Sequence, residues 1–410
     1  MKKTLLFLTK TFPFNSGEEF IENELPVLSQ HFEKIIIIAT SIRGKVNLER
    51  AIPENVVAYS ISDIKNKYLR YALYSIRGLF SIWKAEVRNE IKSNRALNRV
   101  LGILYFAGHC ERNKKKIKKF IREDICQDAI IYCYWFADLP YLAIDLINDF
   151  KCEASIVSRA HGYDLYEYRN AMNYIPFRRY VLDSIKHVYP CSNDGAQYLK
   201  GLYPEYAEKI DVSYLGTRNH GISRTMPENN ELYKYRIVTC SSISSVKRLG
   251  LLAEAITILE KEKFYLEWIC IGDGECISEL KTYTNANFHK SKIDYIGSML
   301  NRDVCEYYRE NYFDLFVNVS SSEGLPVSIM EATSFGIPCL ATDVGGTKEI
   351  IKDGITGRLI KSNITSRQLA NELKIALNTE YDRAAVREFW QHNFFAEKNY
   401  SEFVECIERM

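Results

Sequence analysis

The chain has 410 residues, more than one ordinary hydrophobic core holds, so two domains of roughly 200 residues each are expected. Hydrophobic residues make up 47% and charged residues 26%, which is normal for a folded globular protein and argues against extensive disorder. The formal net charge is +2, from 54 basic and 52 acidic residues, and it gives no overall reason to expect a nucleic-acid partner.

The 11 cysteines are odd in number and scattered, and the closest pair, Cys270 and Cys276, has neither zinc-site nor redox spacing. We therefore expect no disulfide framework and no Cys-rich metal site, and a reducing compartment fits best. The apolar stretch Leu5 to Leu8 is too short for a signal peptide, and no run approaches the roughly 18 apolar residues of a membrane span. The sequence thus predicts a cytoplasmic protein.

Short apolar runs rich in β-branched and aromatic residues alternate with amphipathic segments, a pattern typical of βα units and parallel sheets. The strands predicted in the first half are Thr4–Lys10, Lys34–Thr40, Val56–Ser60, Ile130–Phe136, Ser155–Ala160, His187–Ser192 and Asp211–Gly216. The helices predicted between them are Glu19–Phe32, a long stretch over Tyr68–Asp124, and Asp138–Phe150.

The segment Arg218–Leu232 is polar, contains Gly and Pro and breaks both periodicities, so it is interpreted as an interdomain linker. The strands predicted after it are Arg236–Ser242, Phe264–Gly272, Ile293–Gly297, Asp314–Ser320, Cys339–Val344 and Gly357–Ile360. The clearest helices there are Lys247–Glu260, Asn301–Glu310 and Pro326–Phe335.

These elements predict a first domain of residues 1–217, the linker 218–232, a second domain of residues 233–380 and a C-terminal helical segment 381–410. This last segment is a candidate to cross back to the first domain. Two doubly wound sheets in tandem bind ligands in the crevice at the carboxyl ends of their strands.

The most informative turn follows the predicted strand Asp314–Ser320, where Glu323, Gly324 and Leu325 precede a helix that opens at Pro326, the favoured N1 position for proline. A helix N-terminus attracts phosphate through unpaired N–H groups and a partial positive charge. Glu331 lies roughly 8 Å further along the helix axis. A diphosphate at the helix mouth would then have its sugar near Glu323 and its ribose near Glu331.

The two glutamates in EGLPVSIMEA resemble the E-x7-E element of retaining glycosyltransferases of family 4, which have the GT-B fold. The resemblance continues through GIPCLATDVGGTKEI, DGITGRLI and IGDGE, and in the first half through TFPFNSGEEFIENEL and SRAHGYDLYEYR. It implies an α/β protein of bacterial polysaccharide or glycolipid biosynthesis, with two Rossmann-like doubly wound domains facing across an interdomain cleft.

For the nucleotide sugar, the resemblance implies that Glu323 faces the donor hexose and Glu331 binds the ribose. The backbone at Gly324, Leu325 and Pro326 and just beyond would hold phosphate or sugar oxygens. An ionised carboxylate at position 331 suits this role because it accepts from both ribose hydroxyls.

The segment CSSISSVKRLGLLAEAI resembles the basic element of the family, with Lys247 as the lysine that neutralises the departing diphosphate. At the position where the family usually has an arginine, this chain has Ser242, and Arg248 is the candidate to compensate for the missing arginine. The resemblance implies that Gly272 and Asp273 lie near the base and ribose of the nucleotide. The G-x-G-x-x-G motif of a nicotinamide-dinucleotide site is not complete there, because Ile277 stands at the third glycine position. No aspartates have D-x-D spacing, so we expect no metal cofactor, with lysine and helix dipole handling the leaving-group charge.

In the first domain, Gly17 lies in a loop that closes over the diphosphate in similar enzymes, since glycine lets backbone amides approach closely. His161 follows the strand Ser155–Ala160, and the resemblance implies that it contacts the donor sugar near the reacting carbon without acting as a general base. Asp164 is expected to orient His161 or bind acceptor, and Tyr166 is placed with it on the acceptor side.

The predicted function is metal-independent, retaining transfer of a hexose from an NDP-sugar to a glycan or lipid-linked acceptor, with UDP the first expectation for the nucleotide and GDP the second. A sugar-nucleotide epimerase and a catalytically silent binding protein are the alternatives. The basic run Arg112–Arg122 either meets the anionic inner face of a membrane or is a solvated helix face. The apolar segment Tyr68–Trp83 is a candidate for the acceptor side of the cleft.

Overall fold

The computed structural model of the protein describes residues 4–15, 17–46, 50–80, 86, 96–121, 129–170, 172–223 and 235–410. The chain divides into two compact units: Met1–Tyr214 with Glu397–Met410, and Leu215–Ala396. The division thus follows Tyr214, three residues before the end of the predicted first domain, and residues 381–396 belong to the second unit. The predicted linker lies outside the described residues from position 224 onward.

The first unit contains a parallel six-stranded sheet of order β3-β2-β1-β4-β5-β6, the order of a doubly wound dinucleotide-binding sheet. Its strands are β1 (Thr4–Thr9), β2 (Lys34–Ile42), β3 (Val56–Ser62), β4 (Ala129–Cys133), β5 (Ser155–Ala160) and β6 (His187–Pro190). Its helices are α1 (Ile21–His31), α2 (Lys67–Phe80), α3 (Ala96–Ile117), α4 (Asp138–Phe150), α5 (Arg178–Ser184) and α6 (Asn193–Leu202).

The second unit repeats this architecture with a parallel sheet of order β12-β11-β10-β7-β8-β9. Its strands are β7 (Tyr235–Cys240), β8 (Leu266–Ile271), β9 (Lys292–Gly297), β10 (Leu315–Asn318), β11 (Cys339–Thr342) and β12 (Gly357–Ile360). Its helices are α7 (Leu249–Lys261), α8 (Ile277–Asn287), α9 (Asn301–Glu310), α10 (Val327–Ser334), α11 (Thr347–Ile350), α12 (Ser366–Asn378) and α13 (Arg383–Phe394). The last helix, α14 (Ala396–Glu408), lies in the first unit from Glu397 onward. The predicted α/β class, with two Rossmann-like doubly wound sheets, is confirmed.

The apolar run near the chain start is the central strand of the first sheet. Leu5, Leu6, Phe7 and Leu8 are fully buried in β1, which pairs with β2 on one side and β4 on the other. A parallel strand covered by helices on both faces needs such a continuous apolar sequence.

Helix α14 is fixed to the first unit around a buried ion pair. The Arg159 guanidinium donates to Glu24 Oε1, and both side chains are fully buried. Phe403 of α14 covers the guanidinium, its ring centroid 4.2 Å from Arg159 Cζ, and packs against the Tyr132 ring at 5.2 Å. Because a buried charge is tolerated only when it is paired and hydrogen-bonded, this cluster specifies where the terminal helix lies.

Two predicted elements were wrong. Asp211–Gly216 forms no strand: Asp211 and Ser213 donate to Val188 and Pro190, but no regular ladder follows. The helix predicted from Lys247 begins at Leu249, because Ser245–Lys247 is a separate 3-10 turn and Arg248 has the left-handed conformation, φ +50°. The long helical stretch contains α2 and α3, and part of the chain between them lies outside the described residues. Within the described part of the chain, no helix is long and apolar enough to cross a membrane.

Candidate functional site

The turn after β10 brings a cation and a carboxylate together at the carboxyl end of the second sheet. Lys247 Nζ donates to Glu323 Oε1 over 2.6 Å, although the two residues are 76 positions apart. Asn318, the last residue of β10, also donates to Glu323 Oε1, at 3.2 Å, while its own Oδ1 accepts from Ser320 N–H at 3.0 Å. Asn318 was not predicted as a site residue, and it fixes both the turn and the carboxylate.

The loop after β11 holds this turn through contacts with its backbone. Gly346 N–H donates to the Gly324 carbonyl over 2.7 Å. Gly345 has φ +54°, and a Cβ there would lie 2.1 Å from the Glu323 carbonyl oxygen. Only glycine allows both this backbone conformation and this close approach.

The helix that follows the turn begins one residue later than predicted. Pro326 is the N-cap of α10 in an extended conformation rather than its first helical residue, and its carbonyl accepts from Ile329 and Met330. The N–H groups of Val327 and Ser328 therefore stand at the helix start, where no intrahelical carbonyl precedes them. With the buried Leu325 anchoring the turn, this end of α10 can accept an anion.

Glu331 lies inside α10 and is only 7% exposed. Its Oε1 accepts a short hydrogen bond from Asn301 Nδ2 at the start of α9. Burial, reinforced by the Glu331 charge, raises the pKa of the Cys240 thiol to about 12, and the pKa of the Tyr308 hydroxyl is raised for the same reasons. Glu331 is therefore a buried carboxyl group near a thiol and a phenol that stay neutral, with Asn301 as a partner that the sequence analysis missed.

Arg248 binds the end of β10 through backbone carbonyls. Its guanidinium donates to Val319 and Ser362 at 2.7 Å and to Ser320 at 3.2 Å. Burial lowers its pKa. In this structure the arginine thus supports the turn that carries Glu323.

The loops after β7 and β8 interlock beside this turn. Gly272 has φ +131°, and a Cβ there would lie 1.9 Å from the Ser241 carbonyl oxygen. Ile243 N–H donates to the Asp273 carbonyl over 2.9 Å, and the Asp273 carboxylate accepts from Gly274 N–H at 2.7 Å. Ser242 and Asp273, both exposed, therefore lie in the loops that follow two paired strands, β7 and β8.

In the first unit, His161 follows β5 and lies against an aromatic wall. Its ring centroid is 4.6 Å from that of Tyr134 and 4.7 Å from that of Trp135. Nδ1 is 3.6 Å from Asp164 Oδ2. Burial alone would raise the pKa of Asp164, but His161 and the backbone N–H groups of Phe136 and His161 outweigh burial and lower it. Asp164 is therefore an anion that orients the loop carrying His161.

The other two residues predicted in the first unit have hydrogen-bond partners of their own. Gly17 has φ +98° and donates from its N–H to Glu19 Oε1 at 2.7 Å. Tyr166 is buried, with its hydroxyl donating to Asp194 Oδ2 at 2.8 Å. Burial is also the main reason that the pKa of Tyr166 is raised.

The described residues contain no group of three or more His, Cys, Asp or Glu side chains arranged to hold a metal ion. The chemistry available at the second sheet is a lysine, a helix N-terminus and two carboxylates. Together these groups can bind a diphosphate and the hydroxyls of two sugars.

Comparisons with known proteins find a family model and relatives that match the part of the chain carrying this site. Residues 224–391 match the family model described as glycosyl transferases group 1. Over 152 residues the chain is 32% identical to the O-antigen biosynthesis glycosyltransferase WbnH of Escherichia coli, an alignment that covers 35% of this chain and 41% of that protein. The match thus spans less than half the length of this relative.

The similarity of fold extends over the whole chain. The apo form of the lipopolysaccharide outer core galactosyltransferase WaaB superposes with a TM-score of 0.65 at 14% identity, covering 98% of this chain and 99% of that chain. HepE of Anabaena, solved in complex with UDP and glucose, superposes with a TM-score of 0.63 at 13% identity, covering 100% of both chains. The residues that match the group 1 glycosyltransferase model therefore carry the Lys247–Glu323 pair and Glu331, in a chain with the GT-B fold.

Proposed function

We propose that this protein is a glycosyltransferase of polysaccharide biosynthesis that moves a hexose from a nucleoside-diphosphate sugar to a glycan or lipid-linked saccharide. The observation that carries the proposal is the contact between Lys247 and Glu323 at 2.6 Å beside the N-terminus of α10. A transferase needs a cation beside the leaving diphosphate and, close to it, a group that accepts hydrogen bonds from the sugar hydroxyls. Lys247 and Glu323 supply these two groups at this turn.

In the proposed donor complex, the diphosphate lies at the start of α10, where helix N–H groups and Lys247 neutralise its charge. Glu331 accepts hydrogen bonds from the ribose hydroxyls, which replace the hydrogen bond that it accepts from Asn301 in this structure. Glu323 accepts from hydroxyls of the hexose. UDP is the first choice of nucleotide, supported by the UDP bound to HepE, and GDP is the second.

We propose retention of configuration at the anomeric carbon. The bond from that carbon to the diphosphate oxygen breaks, the acceptor hydroxyl attacks from the same face, and its proton passes to the departing diphosphate oxygen. Since Glu323 Oε1 is held by Lys247 and Asn318, its carboxylate is suited to fixing the sugar rather than to forming a covalent intermediate. His161 contacts the donor sugar in this scheme and is held by Asp164.

We also propose that the reaction is independent of metal ions. A lysine and a helix N-terminus stabilise negative charge as it develops on a leaving diphosphate, which is the role that a divalent cation takes in other sites. Lys247 is ion-paired and only partly exposed, so its ammonium is already directed at the turn.

Contact with a membrane surface is part of the proposal for lipid-linked acceptors. Helix α2 exposes a row of large apolar side chains: Tyr68, Leu69, Tyr71, Ile76, Leu79 and Phe80. Burial lowers the pKa of Lys116 on the adjoining helix α3, and the nearby charges of Arg112 and Lys119 lower it further, which marks a cationic cluster. Arg122, the last residue of the predicted basic run, lies outside the described residues. An apolar helix face beside clustered cations suits an anionic bilayer surface at the inner face of the membrane.

A panel of UDP-, GDP- and ADP-hexoses tests the proposed function. We expect one donor to raise the melting temperature, because a ligand that binds only the folded state stabilises it by mass action. With a saccharide acceptor, the same donor should yield free nucleoside diphosphate and a glycoside with the donor's anomeric configuration. Isomerised sugar nucleotide without an acceptor would instead indicate an epimerase, and binding without turnover a silent protein.

A further inference from the structure

Two aromatic rings form a partly exposed shelf at the carboxyl end of the first sheet. The ring centroids of Trp135, just after β4, and Tyr163, just after β5, are 4.8 Å apart and their planes are inclined by 35°. Tyr163 is 40% exposed and Trp135 is partly exposed. His161 lies directly against Trp135, with ring centroids 4.7 Å apart.

A buried carboxylate fixes the Trp135 side of this shelf. Glu18 accepts hydrogen bonds from the backbone N–H groups of Lys10 at 2.9 Å, Thr11 at 2.6 Å and Phe12 at 2.7 Å, all just after β1. Its Oε1 also accepts from Trp135 Nε1. Glu18 is only 7% exposed and has φ +59°, an unusual backbone conformation for a residue with a side chain. One carboxylate thus joins the end of β1 to the indole of Trp135.

A cation fixes the Tyr163 side. Lys10 Nζ lies 4.9 Å from the Tyr163 ring centroid and 3.5 Å from Asp138 Oδ1. Asp138 Oδ2 is in turn 3.2 Å from Nδ1 of His109. Burial alone would lower the pKa of Lys10, but Asp138 and Tyr163 outweigh it and raise the pKa, so the ammonium stays charged over the ring.

The shelf also has a polar group beside it. His161 is 8% exposed; its Nδ1 lies 3.6 Å from Asp164 Oδ2, beyond hydrogen-bond distance, and its Nε2 has no hydrogen-bond partner in this structure. A buried polar atom without a partner is costly, and such an atom next to a binding surface commonly completes its hydrogen bonds with a ligand.

These features match the chemistry of a saccharide. A pyranose ring has a face of C–H groups, which packs against the electron-rich face of an aromatic ring, and a rim of hydroxyls, which needs hydrogen-bond partners. The buried Glu18 carboxylate and the partly exposed Lys10 ammonium together hold these two partly exposed rings in place.

We propose that Trp135 and Tyr163 bind a sugar ring of the acceptor, with Glu18 and Lys10 as positioning residues. This inference rests on the proposed transferase function and names the acceptor class as a saccharide recognised through its C–H face. The acceptor is assigned to this shelf because the lysine, helix N-terminus and carboxylates suited to the donor nucleotide belong to the second unit. His161, proposed to contact the donor hexose, adjoins Trp135 and would lie between the two sugars.

Fluorescence titration of the protein alone with a panel of methyl hexopyranosides tests the shelf without any turnover. Of the four tryptophans, Trp268 and Trp390 are fully buried and Trp83 lies outside the described residues. We expect a saturable change in tryptophan emission that is retained in Trp83→Phe and absent in Trp135→Phe. Absence of any saturable change, or its persistence in Trp135→Phe, would overturn the proposal.

Steady-state kinetics with a saccharide acceptor provide the second arm. We expect Trp135→Leu and Tyr163→Leu to raise the acceptor KM about tenfold and to leave the donor KM unchanged. Tyr168→Leu is the matched control, because Tyr168 is an exposed tyrosine five residues from Tyr163. Glu18→Gln should raise the acceptor KM in the same way and shift the Trp135 emission, whereas a purely structural role would lower only the melting temperature.

The two proposals fail in different ways. A rise in donor KM instead of acceptor KM would place the donor hexose on the shelf and overturn the acceptor assignment. If no nucleotide sugar is consumed at all, the transferase proposal fails, while the fluorescence titration still decides whether the shelf binds saccharides.

Discussion

Lys247 and Glu323 form a hydrogen-bonded ion pair in which Nζ lies 2.6 Å from Oε1. The pair joins the 3-10 turn after β7 to the turn after β10, so it sets the position of the only lysine proposed to act on the diphosphate. A ligand that carries both a diphosphate and sugar hydroxyls would meet the cation and the carboxylate in the geometry they already have.

Removing the lysine should abolish transfer while the protein still folds. We expect Lys247→Met to lower kcat by about 100-fold or more, since loss of one preorganised group that stabilises leaving-group charge has an effect of this order. Lys247→Arg should recover part of the activity because it retains the charge. Full turnover by Lys247→Met, measured as release of nucleoside diphosphate, would contradict the assignment.

Glu331→Ala should weaken nucleotide binding. Loss of a charged acceptor for two ribose hydroxyls is expected to raise the Kd of the nucleoside diphosphate by about 10- to 100-fold. Isothermal titration measures this directly, and Glu254→Ala is a control because Glu254 is exposed on helix α7. Equal affinity in the two variants would show that Glu331 does not contact the nucleotide.

Gly345→Ala should displace the turn that carries Glu323. The added Cβ would lie 2.1 Å from the Glu323 carbonyl oxygen at a backbone φ of +54°, so either the loop or the turn must move. We expect a loss of about 1–3 kcal/mol in the free energy of unfolding and a marked fall in kcat/KM. Gly250→Ala provides the comparison, since a Cβ there meets open space, and it should behave like the unmodified protein.

Activity should survive removal of divalent cations. Extensive dialysis against EDTA is expected to leave kcat within about twofold of its starting value, because Lys247 and the start of α10 stabilise the diphosphate. Recovery of activity only after addition of Mg²⁺ or Mn²⁺ would refute metal-independent transfer. Lys247→Met assayed with and without Mg²⁺ shows whether a cation can replace the ammonium.

Vesicle flotation tests the membrane contact. We expect binding to vesicles rich in anionic lipid, reduced at high salt, and weakened by Lys119→Glu because each basic residue near such a surface contributes about 1 kcal/mol. The double variant Ile76→Gln and Phe80→Gln should also lose binding. Ile222→Gln is the control, because Ile222 is exposed in the second unit. Binding unchanged in Lys119→Glu and in the double variant would exclude α2 and α3 as the contact.

The strands were largely predictable because a strand buried on both faces of a parallel sheet must be a continuous apolar run. Thr4–Thr9 and Lys34–Ile42 contain such runs, Leu5–Leu8 and Ile35–Ala39, and both strands have the predicted start. Asp211–Gly216 has a similar local pattern, but its backbone hydrogen bonds to Val188 and Pro190 do not continue into a regular ladder, which local sequence does not reveal. The left-handed residue Arg248, which delays the start of α7, is equally invisible to apolar periodicity.

The residue types and spacings of the motifs come from the sequence alone. Glu323 and Glu331 lie around one helix start, Lys247 lies before another, and His161 follows a strand. The tertiary structure alone showed what holds them. Asn301, Gly345 and Glu18 contact Glu331, Glu323 and Trp135 across segments distant in the chain, and Asn318 holds Glu323 across the turn itself. The physical reason is that hydrophobic periodicity is a local signal, whereas hydrogen bonds between the carboxyl ends of parallel strands join segments separated by whole βα units.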